Sequence, residues 1–194
     1  METTHLSVVD EQRNAVSLTY TLEYGYGSRI VVPGAGFLLN NEMGDFNGAP
    51  GLTTADGLIG TTPNLAAPGK RMLSSMTPTI LTKDEQLFMV TGTPGGRTII
   101  NTVLQTILNV VDFKMNIQAA VDAGRFHHQW LPDHIRYERH GLSPDTLSLL
   151  KERGHHLREV GSQGNVQAIL YDHESDILEG ASDRRRPDGG AIGF

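Results

Sequence analysis

The first twenty residues contain the feature that most constrains the fold, because two alternating stretches lie close together there. Residues 3–10, Thr-Thr-His-Leu-Ser-Val-Val-Asp, and residues 15–22 both alternate in polarity and carry β-branched side chains. Alternation with period two is typical of half-buried strands, and the polar residues between the stretches favour a tight connection, so the sequence predicts a β-hairpin. Because strand side chains two positions apart point the same way, Ser17, Thr19 and Thr21 are expected on one face.

Thr3 is a candidate nucleophile on chemical grounds. A threonine hydroxyl attacks a carbonyl poorly at neutral pH unless a base accepts its proton, and at a chain terminus the residue's own α-amine, with a pKa of roughly 7.7–8, can do so. Met1 and Glu2 precede Thr3, so its nitrogen is an amide in the sequence as written. We therefore expect that cleavage between Glu2 and Thr3 exposes the nucleophile, or else that the chain is inactive. A threonine that merely begins a strand is the alternative.

Composition limits the classes of function. The 194 residues suffice for one domain, and we expect a single domain over 1–194. A net charge of -6 lacks the basic character of proteins that bind nucleic acids or membrane surfaces, so a small-molecule substrate is favoured. The sequence has no cysteine, which excludes disulfides and cysteine catalysis. It also has neither an apolar run of about twenty residues nor a secretory signal pattern, and any signal is expected on another part of a precursor.

Glu42 and Asp45 are candidate ligands for a positively charged group. They lie three positions apart in segment 40–46, Asn-Asn-Glu-Met-Gly-Asp-Phe, so one helical turn would put both carboxylates on the same side. A cation or a metal ion is one occupant of such a site, and a capped surface turn is the alternative. Residues 47–69 are rich in Gly, Pro and Thr and predict a long loop of the kind used as a lid or binding loop.

Ser74 and Ser75 are candidate anion ligands. They supply two hydroxyls and two backbone donors ahead of Pro78, immediately before a strand predicted at 79–82. Hydroxyl and amide donors together suit a carboxylate. The pair by itself is weak evidence for a binding site.

Gly95 and Gly96 are the second candidate anion site. They connect a strong strand at 87–91 to an apolar helix at 99–111, and glycine lets backbone N–H groups turn toward a negative charge at a helix start. The segment lacks the Gly-Lys-Ser/Thr of a phosphate-binding loop and the GxGxxG dinucleotide fingerprint. An oxyanion hole for an attacked carbonyl is therefore the favoured interpretation, and tight strand-to-helix packing is the alternative.

The second half of the chain is interpreted as structural support. Two helices and then two closing strands are predicted, in chain order, at 116–124, 143–153, 167–171 and 177–181. The adjacent His127 and His128 are assigned to structure, because neighbouring strand side chains point apart and no further ligands follow at zinc spacing. The basic run at 184–186 is expected to be solvated surface.

Five motifs in one order carry a resemblance that covers essentially the whole chain from Thr3. They are TTHLSVVD at 3–10, NNEMGDF at 40–46, PGKRMLSSM at 68–76, TGTPGG at 91–96 and RFHHQWLP at 125–132. Together they make the chain similar to the small, C-terminal subunit of the γ-glutamyltransferase family, also called γ-glutamyl transpeptidases or glutathione hydrolases. The resemblance implies an α+β fold, the four-layer αββα sandwich of N-terminal-nucleophile (Ntn) hydrolases, of which this chain would form part.

The same resemblance implies catalytic roles. Thr3 would be both the nucleophile of autocleavage and the residue that is acylated by the γ-glutamyl group, with Met1-Glu2 lying before the mature N-terminus. Thr21 would be the second hydroxyl that orients it. The N–H groups of Gly95 and Gly96 would bind the oxyanion. Water, or the amine of an amino acid or peptide, would then release the γ-glutamyl group.

Substrate-binding roles are also implied by the resemblance. Ser74 and Ser75 would bind the α-carboxylate of the γ-glutamyl group, and Glu42 and Asp45 its α-ammonium. Gripping both charges of this zwitterionic head would position the side-chain amide for attack. Glu23 occupies a place where asparagine is expected in many members, and it adds a negative charge on the ammonium side of the pocket.

The family further implies the substrate and the partner. Glutathione and related γ-glutamyl compounds would be cleaved with no cofactor and no metal ion, by a heterodimer with a large subunit from the same precursor that contributes an arginine. Family members imply a periplasmic or extracellular location, with a cytoplasmic one as the alternative. Two other functions stay open: an acylase of the same family acting on glutaryl-type amides, as cephalosporin acylases do, and an inactive subunit without its large partner.

Overall fold

The computed structural model describes residues 3–193, and within them three α-helices and nine strands form a mixed α+β fold. The helices are α1 (Ile99–Val111), α2 (Ile117–Asp122) and α3 (Pro144–Glu152). The strands are β1 (Thr3–Val9), β2 (Ala15–Thr21), β3 (Thr79–Lys83), β4 (Gln86–Gly92), β5 (Phe126–His127), β6 (Ile135–Glu138), β7 (Leu157–Val160), β8 (Gln167–Asp172) and β9 (Ile177–Ser182). Met1, Glu2 and Phe194 lie outside the described residues, so cleavage ahead of Thr3 stays a prediction.

The hairpin predicted from the first twenty residues is confirmed. β1 and β2 pair antiparallel over seven registered pairs that run from Thr3↔Thr21 to Val9↔Ala15. The connection is closed by Asp10, whose Oδ1 accepts the Asn14 N–H at 2.8 Å. Arg13 in this turn has φ 66°, a left-handed conformation that tight turns require. This register places the first residue of β1 directly opposite the last residue of β2.

A four-stranded antiparallel sheet in the order β3-β4-β8-β9 forms the middle of the molecule. The helices α1 and α2 cover one of its faces and enclose a core formed by Met89, Val110, Ile117, Ala120, Val121, Val166, Ala168 and Ala181. Both helices were predicted, and α2 begins as expected, because the Asn116 side chain accepts the Ala119 N–H at 2.8 Å. The closing strands β8 and β9 are confirmed too.

The hairpin lies on the opposite face of this sheet. Ser17 Oγ donates to the Thr91 carbonyl at 3.0 Å, and Ser7 Oγ donates to the Gln167 carbonyl at 3.2 Å. A Cβ at residue 92 would overlap the His5 ring, so Gly92 is what permits the close approach of β1 and β4. Hairpin, sheet and helices therefore form three successive layers, β, β and α.

The outer face of the hairpin is apolar and exposed. Its large side chains, which are between 45 and 59 % accessible, are Leu6, Val8, Val16, Leu18 and Tyr20. Within residues 3–193, β1 and β2 pair only with each other, so each also has a free edge. An αββα sandwich would place its fourth layer, of helices, against this face.

A second, three-stranded sheet was not predicted. β5 pairs antiparallel with β6, and β6 pairs parallel with β7 through the α3 crossover. These strands are two to four residues long, too short to show a periodic pattern. No helix in residues 3–193 has both the length and the apolar character needed to cross a membrane.

One sequence expectation is wrong. Arg185, expected at a solvated surface, lies inside a buried ionic cluster and donates to Glu138 Oε2 at 2.6 Å and to Asp183 Oδ1 at 3.2 Å. Arg125 completes the cluster at 2.7 Å from Asp183 Oδ2. Burial opposes the charged form of Asp183, but the Arg125 guanidinium beside it holds the pKa of this carboxyl below its usual range. Arg184 and Arg186 are exposed as expected.

Candidate active site

Thr3 and Thr21 meet at the open end of the hairpin. Their Cα atoms are registered partners, and Thr3 Oγ1 donates to Thr21 Oγ1 at 3.0 Å. Thr21 Oγ1 also accepts the Glu23 N–H at 2.9 Å, and the Thr21 side chain hydrogen-bonds the Glu42 carboxyl. The second hydroxyl therefore fixes the orientation of the first and joins it to an acidic segment.

His5 lies two residues along β1 from Thr3 but is unsuited to act as its base. Its Nδ1 is 2.7 Å from Thr19 Oγ1 and its Nε2 is 3.1 Å from Ser7 Oγ, so both ring nitrogens have partners. Ser7 Oγ donates its proton to a backbone carbonyl, so toward His5 it can only accept, from Nε2–H. The unprotonated Nδ1 of His5 therefore accepts from Thr19 Oγ1. Burial lowers the pKa of His5 from 6.5 to about 4 and keeps the ring neutral.

Three carboxyl groups lie together beside Thr21. Glu42 and Asp45 share a 3₁₀ turn, as their spacing predicted, and Glu23 reaches them from the end of the hairpin with φ 72°. Burial, and then the neighbouring Asp45, raises the pKa of Glu23, and the same two causes raise the pKa of Glu42. A Cβ at residue 44 would overlap the Glu23 carboxyl, so Gly44 makes this approach possible.

This acidic cluster (Glu23, Glu42 and Asp45) lacks a compensating cation among the described residues. Glu23 Oε2 and Glu42 Oε1 are buried without a hydrogen-bond partner. No group of side chains within residues 3–193 has the arrangement of a metal site. The cluster therefore combines unmet hydrogen-bonding capacity with negative charge, and its role in binding an ammonium group stays a prediction.

Asn64 links the acidic turn to the segment that carries Ser74 and Ser75. Its Nδ2 donates to the Asp45 carbonyl at 2.7 Å, and its Oδ1 accepts the Leu73 N–H at 2.9 Å. Asn64 is buried within the predicted long loop, at the end of a short 3₁₀ turn (Thr62–Asn64). One side chain therefore sets the distance between the two groups expected to bind opposite charges.

The two serines differ in their exposure. Ser74 is exposed and its Oγ accepts the Met76 N–H at 3.2 Å, whereas Ser75 is half-buried. Neither hydroxyl contacts Thr3 within the described residues. Their role in binding a carboxylate stays a prediction.

Gly95 and Gly96 form the turn between β4 and α1 that the sequence predicted. Both have positive φ angles, 147° and 58°, a backbone conformation that residues other than glycine rarely adopt. Thr98 N–H and Ile99 N–H donate to the Gly95 and Gly96 carbonyls, so the two glycine N–H groups are not the donors of this turn. Gly95 lines one cavity of about 380 Å³ together with Thr3, whereas Gly96 does not line it, and the oxyanion role of the two N–H groups stays a prediction.

Comparison with known proteins decides the family. A family profile described as gamma-glutamyltranspeptidase matches residues 1–193. The chain is 47% identical over 193 residues to the glutathione hydrolase proenzyme of Escherichia coli K12. It belongs to the γ-glutamyltranspeptidase family. The match covers 100% of this chain and only 33% of that proenzyme. The chain therefore spans about a third of the length of this curated relative.

Solved structures extend the likeness to the fold. The Helicobacter pylori γ-glutamyltranspeptidase T380A mutant superposes with a TM-score of 0.87 at 46% identity, covering 94% of this chain and 100% of that one. A cephalosporin acylase from Bacillus halodurans superposes at 0.79 with 29% identity, covering 93% of this chain and 32% of that one. The chain therefore has the Ntn-hydrolase fold of γ-glutamyltranspeptidases and corresponds to a part of the longer acylase.

Two residues of this candidate site in a member of the γ-glutamyltranspeptidase family were not singled out from the sequence. His5 follows Thr3 by two positions, and strand alternation alone places it on the same buried face, so that signal was present in the sequence. Asn64 carried no signal, because an isolated asparagine in a loop rich in Gly, Pro and Thr is typical of a turn.

Proposed function

We propose that the chain is the catalytic small subunit of a hydrolase or transferase that cleaves γ-glutamyl amides, glutathione among them, through an acyl ester on Thr3. The observation that carries the proposal is the 3.0 Å hydrogen bond between Thr3 and Thr21, because it lies directly beside an acidic cluster. A nucleophile paired to a second hydroxyl and adjacent to an unfilled ammonium site matches the chemistry of a γ-glutamyl substrate.

The steps follow from the positions of these groups. Once Thr3 is N-terminal, its α-amine takes the hydroxyl proton as Oγ1 attacks the amide carbonyl, since His5 is neutral and fully bonded. The N–H groups of Gly95 and Gly96 bind the oxyanion, and collapse of the tetrahedral species releases the amine, which takes the proton. Water or an acceptor amine then attacks the ester and restores Thr3.

Head-group recognition uses opposite ends of the site. Glu42 and Asp45, with Glu23 beside them, bind the α-ammonium, and Ser74 and Ser75 bind the α-carboxylate. The Asn64 bridge supports this pairing, because it holds both segments at a fixed separation. A glutaryl amide has no ammonium, so the acidic cluster favours γ-glutamyl over glutaryl substrates and ranks the acylase function second.

A large subunit is part of the proposal. The exposed apolar face of the hairpin and its free edges are surfaces that a second chain would cover. A companion encoded in the same precursor fits the fraction of the proenzyme that this chain spans.

The experiment compares precursors that differ at one position. A precursor that joins the large-subunit region to residues 3–194 is expected to cleave itself before Thr3 and then hydrolyse a γ-glutamyl anilide. Thr3→Ala should do neither, and Thr3→Ser should keep part of both activities because it retains a hydroxyl and an amine. Turnover of the anilide by protein whose peptide bond before Thr3 is intact by mass spectrometry would refute the mechanism.

A further inference from the structure

Thr3 lines two cavities, and the one that it shares with Gly95 has a charge that sets it apart from the rest of the site. Its volume is about 380 Å³, and its lining includes Arg97, Arg136 and Arg186 but no aspartate or glutamate. The chain as a whole carries a net charge of -6. Thr3 is therefore linked through Thr21 to the acidic cluster and also lines a cationic cavity.

The three arginines are free to bind an anion. None of them forms an ion pair within residues 3–193, and the Arg97 Nη1 contact to the Gly57 carbonyl at 3.1 Å does not neutralise its charge. Arg136 is also registered opposite Arg158 on β7, so it faces a like charge across the strand pair. A bound carboxylate would supply the anionic partner that the arginines of this cavity lack.

Gln163 ties the wall of the same cavity to the buried ionic cluster. It is 3% exposed, and its backbone is fixed by bonds to Glu138 Oε1 at 2.6 Å and Arg125 Nη1 at 2.6 Å. Its side chain also points to this cluster, because Nε2 donates to the Arg125 carbonyl at 3.3 Å. The charged groups that the cavity offers to a ligand are therefore the arginines.

We propose that this cavity binds the amine side of the substrate, and that its arginines recognise a carboxylate carried by that side. The inference rests on the proposed function. When the γ-glutamyl head lies over the acidic cluster and its carbonyl at Thr3, the departing amine points into the cationic cavity. A leaving peptide with a C-terminal carboxylate places its anion on the arginines. The incoming acceptor amine occupies the position that the leaving amine vacates, so the same preference applies to acceptors.

The test uses the processed protein assembled with its large subunit and a matched pair of substrates. γ-Glutamylglycine and γ-glutamylglycinamide differ only in whether the leaving group ends in a carboxylate or a neutral amide. The wild-type protein is expected to favour the carboxylate by roughly tenfold in kcat/KM, and Arg136→Gln to bring the ratio close to one. Arg186→Gln, in an exposed segment where folding is not at risk, is expected to lower the ratio as well.

Arg158→Gln is the matched control. It removes the same charge from the residue directly opposite Arg136 but does not line this cavity, so the ratio should stay at the wild-type value. This inference would be overturned if the wild-type protein cleaved the two substrates with equal kcat/KM. It would also be overturned if Arg136→Gln and Arg158→Gln lowered the ratio equally. In either case, hydrolysis of the γ-glutamyl anilide would still uphold the proposed function. Failure of the assembled wild-type protein to cleave the anilide would overturn both.

Discussion

Replacing Asn64 with alanine would cut the bridge between the two halves of the head-group site. The change removes the hydrogen bond to the Asp45 carbonyl at 2.7 Å, the one from the Leu73 N–H at 2.9 Å and a longer one to Asn47 Oδ1 at 3.3 Å. The lost partners are two backbone groups and the Asn47 amide, so no catalytic or substrate-binding side chain is altered. The expected effect is a loss of alignment between the acidic cluster and the serine segment.

The size of the effect is set mainly by the two shorter bonds. A neutral hydrogen bond contributes about 0.5–1.5 kcal/mol net to stability, and a buried group that is left without its hydrogen-bond partner costs more. Because Leu73 is exposed and Asp45 half-buried, water replaces part of the loss, and we expect about 2 kcal/mol in total. If this energy is lost as alignment, kcat/KM for a γ-glutamyl anilide falls roughly 30-fold.

The assay compares two substrates and one control variant. Asn64→Ala should lower kcat/KM for γ-glutamyl anilide much more than for glutaryl anilide, which has no α-ammonium to align. Asn109→Ala is the matched control, because it removes an asparagine bond to the Ala120 carbonyl at 3.2 Å between α1 and α2, away from the site. A γ-glutamyl kcat/KM within twofold of wild type for Asn64→Ala, or an equal loss in both variants, would show that the bridge does not position the substrate.

Two other predictions concern stability and assembly. His5 is protonated in the unfolded chain below about pH 6.5 but in the folded protein only below about pH 4, so the free energy of unfolding should rise between these values and level off above them. Urea unfolding of the assembled protein should show this contribution, about 1–3 kcal/mol, and His5→Gln should remove it. The prediction would be contradicted if the free energy of unfolding of the wild-type protein changed with pH in parallel with that of His5→Gln. The small subunit expressed alone should self-associate through the exposed hairpin face, and Val16→Lys or Leu18→Lys should shift sedimentation toward the monomer. A wild-type monomer that melts cooperatively would show that this face needs no cover.

The sequence predicts those parts of the site that depend on neighbouring residues and on strand alternation. Register in a tight hairpin is set locally, so the meeting of Thr3 and Thr21 follows from the pattern of residues 3–22. The turn at Glu42–Asp45 and the glycines at 95–96 likewise follow from composition over a few positions.

The parts that could not be predicted depend on contacts between distant segments. Arg185 carries the same local signal as its two exposed neighbours, and only the arrival of Glu138 and Asp183 determines that it is buried. Glu138 is 47 positions away in the sequence. Asn64 shows the same limit, since its importance lies in joining residues 45 and 73.

The hydroxyl bonds under the hairpin fix its position along the sheet as well as its attachment to it. Apolar contacts have no preferred direction, so a strand held by them can slide by two residues, about 7 Å, and still present the same face. Ser7 and Ser17 each reach one particular carbonyl on β8 or β4, and a slide would break both bonds at once. The distance from Thr3 to the glycine turn is therefore set by two serines several residues away. Substitution of either serine should misalign the nucleophile even where it leaves the melting temperature unchanged.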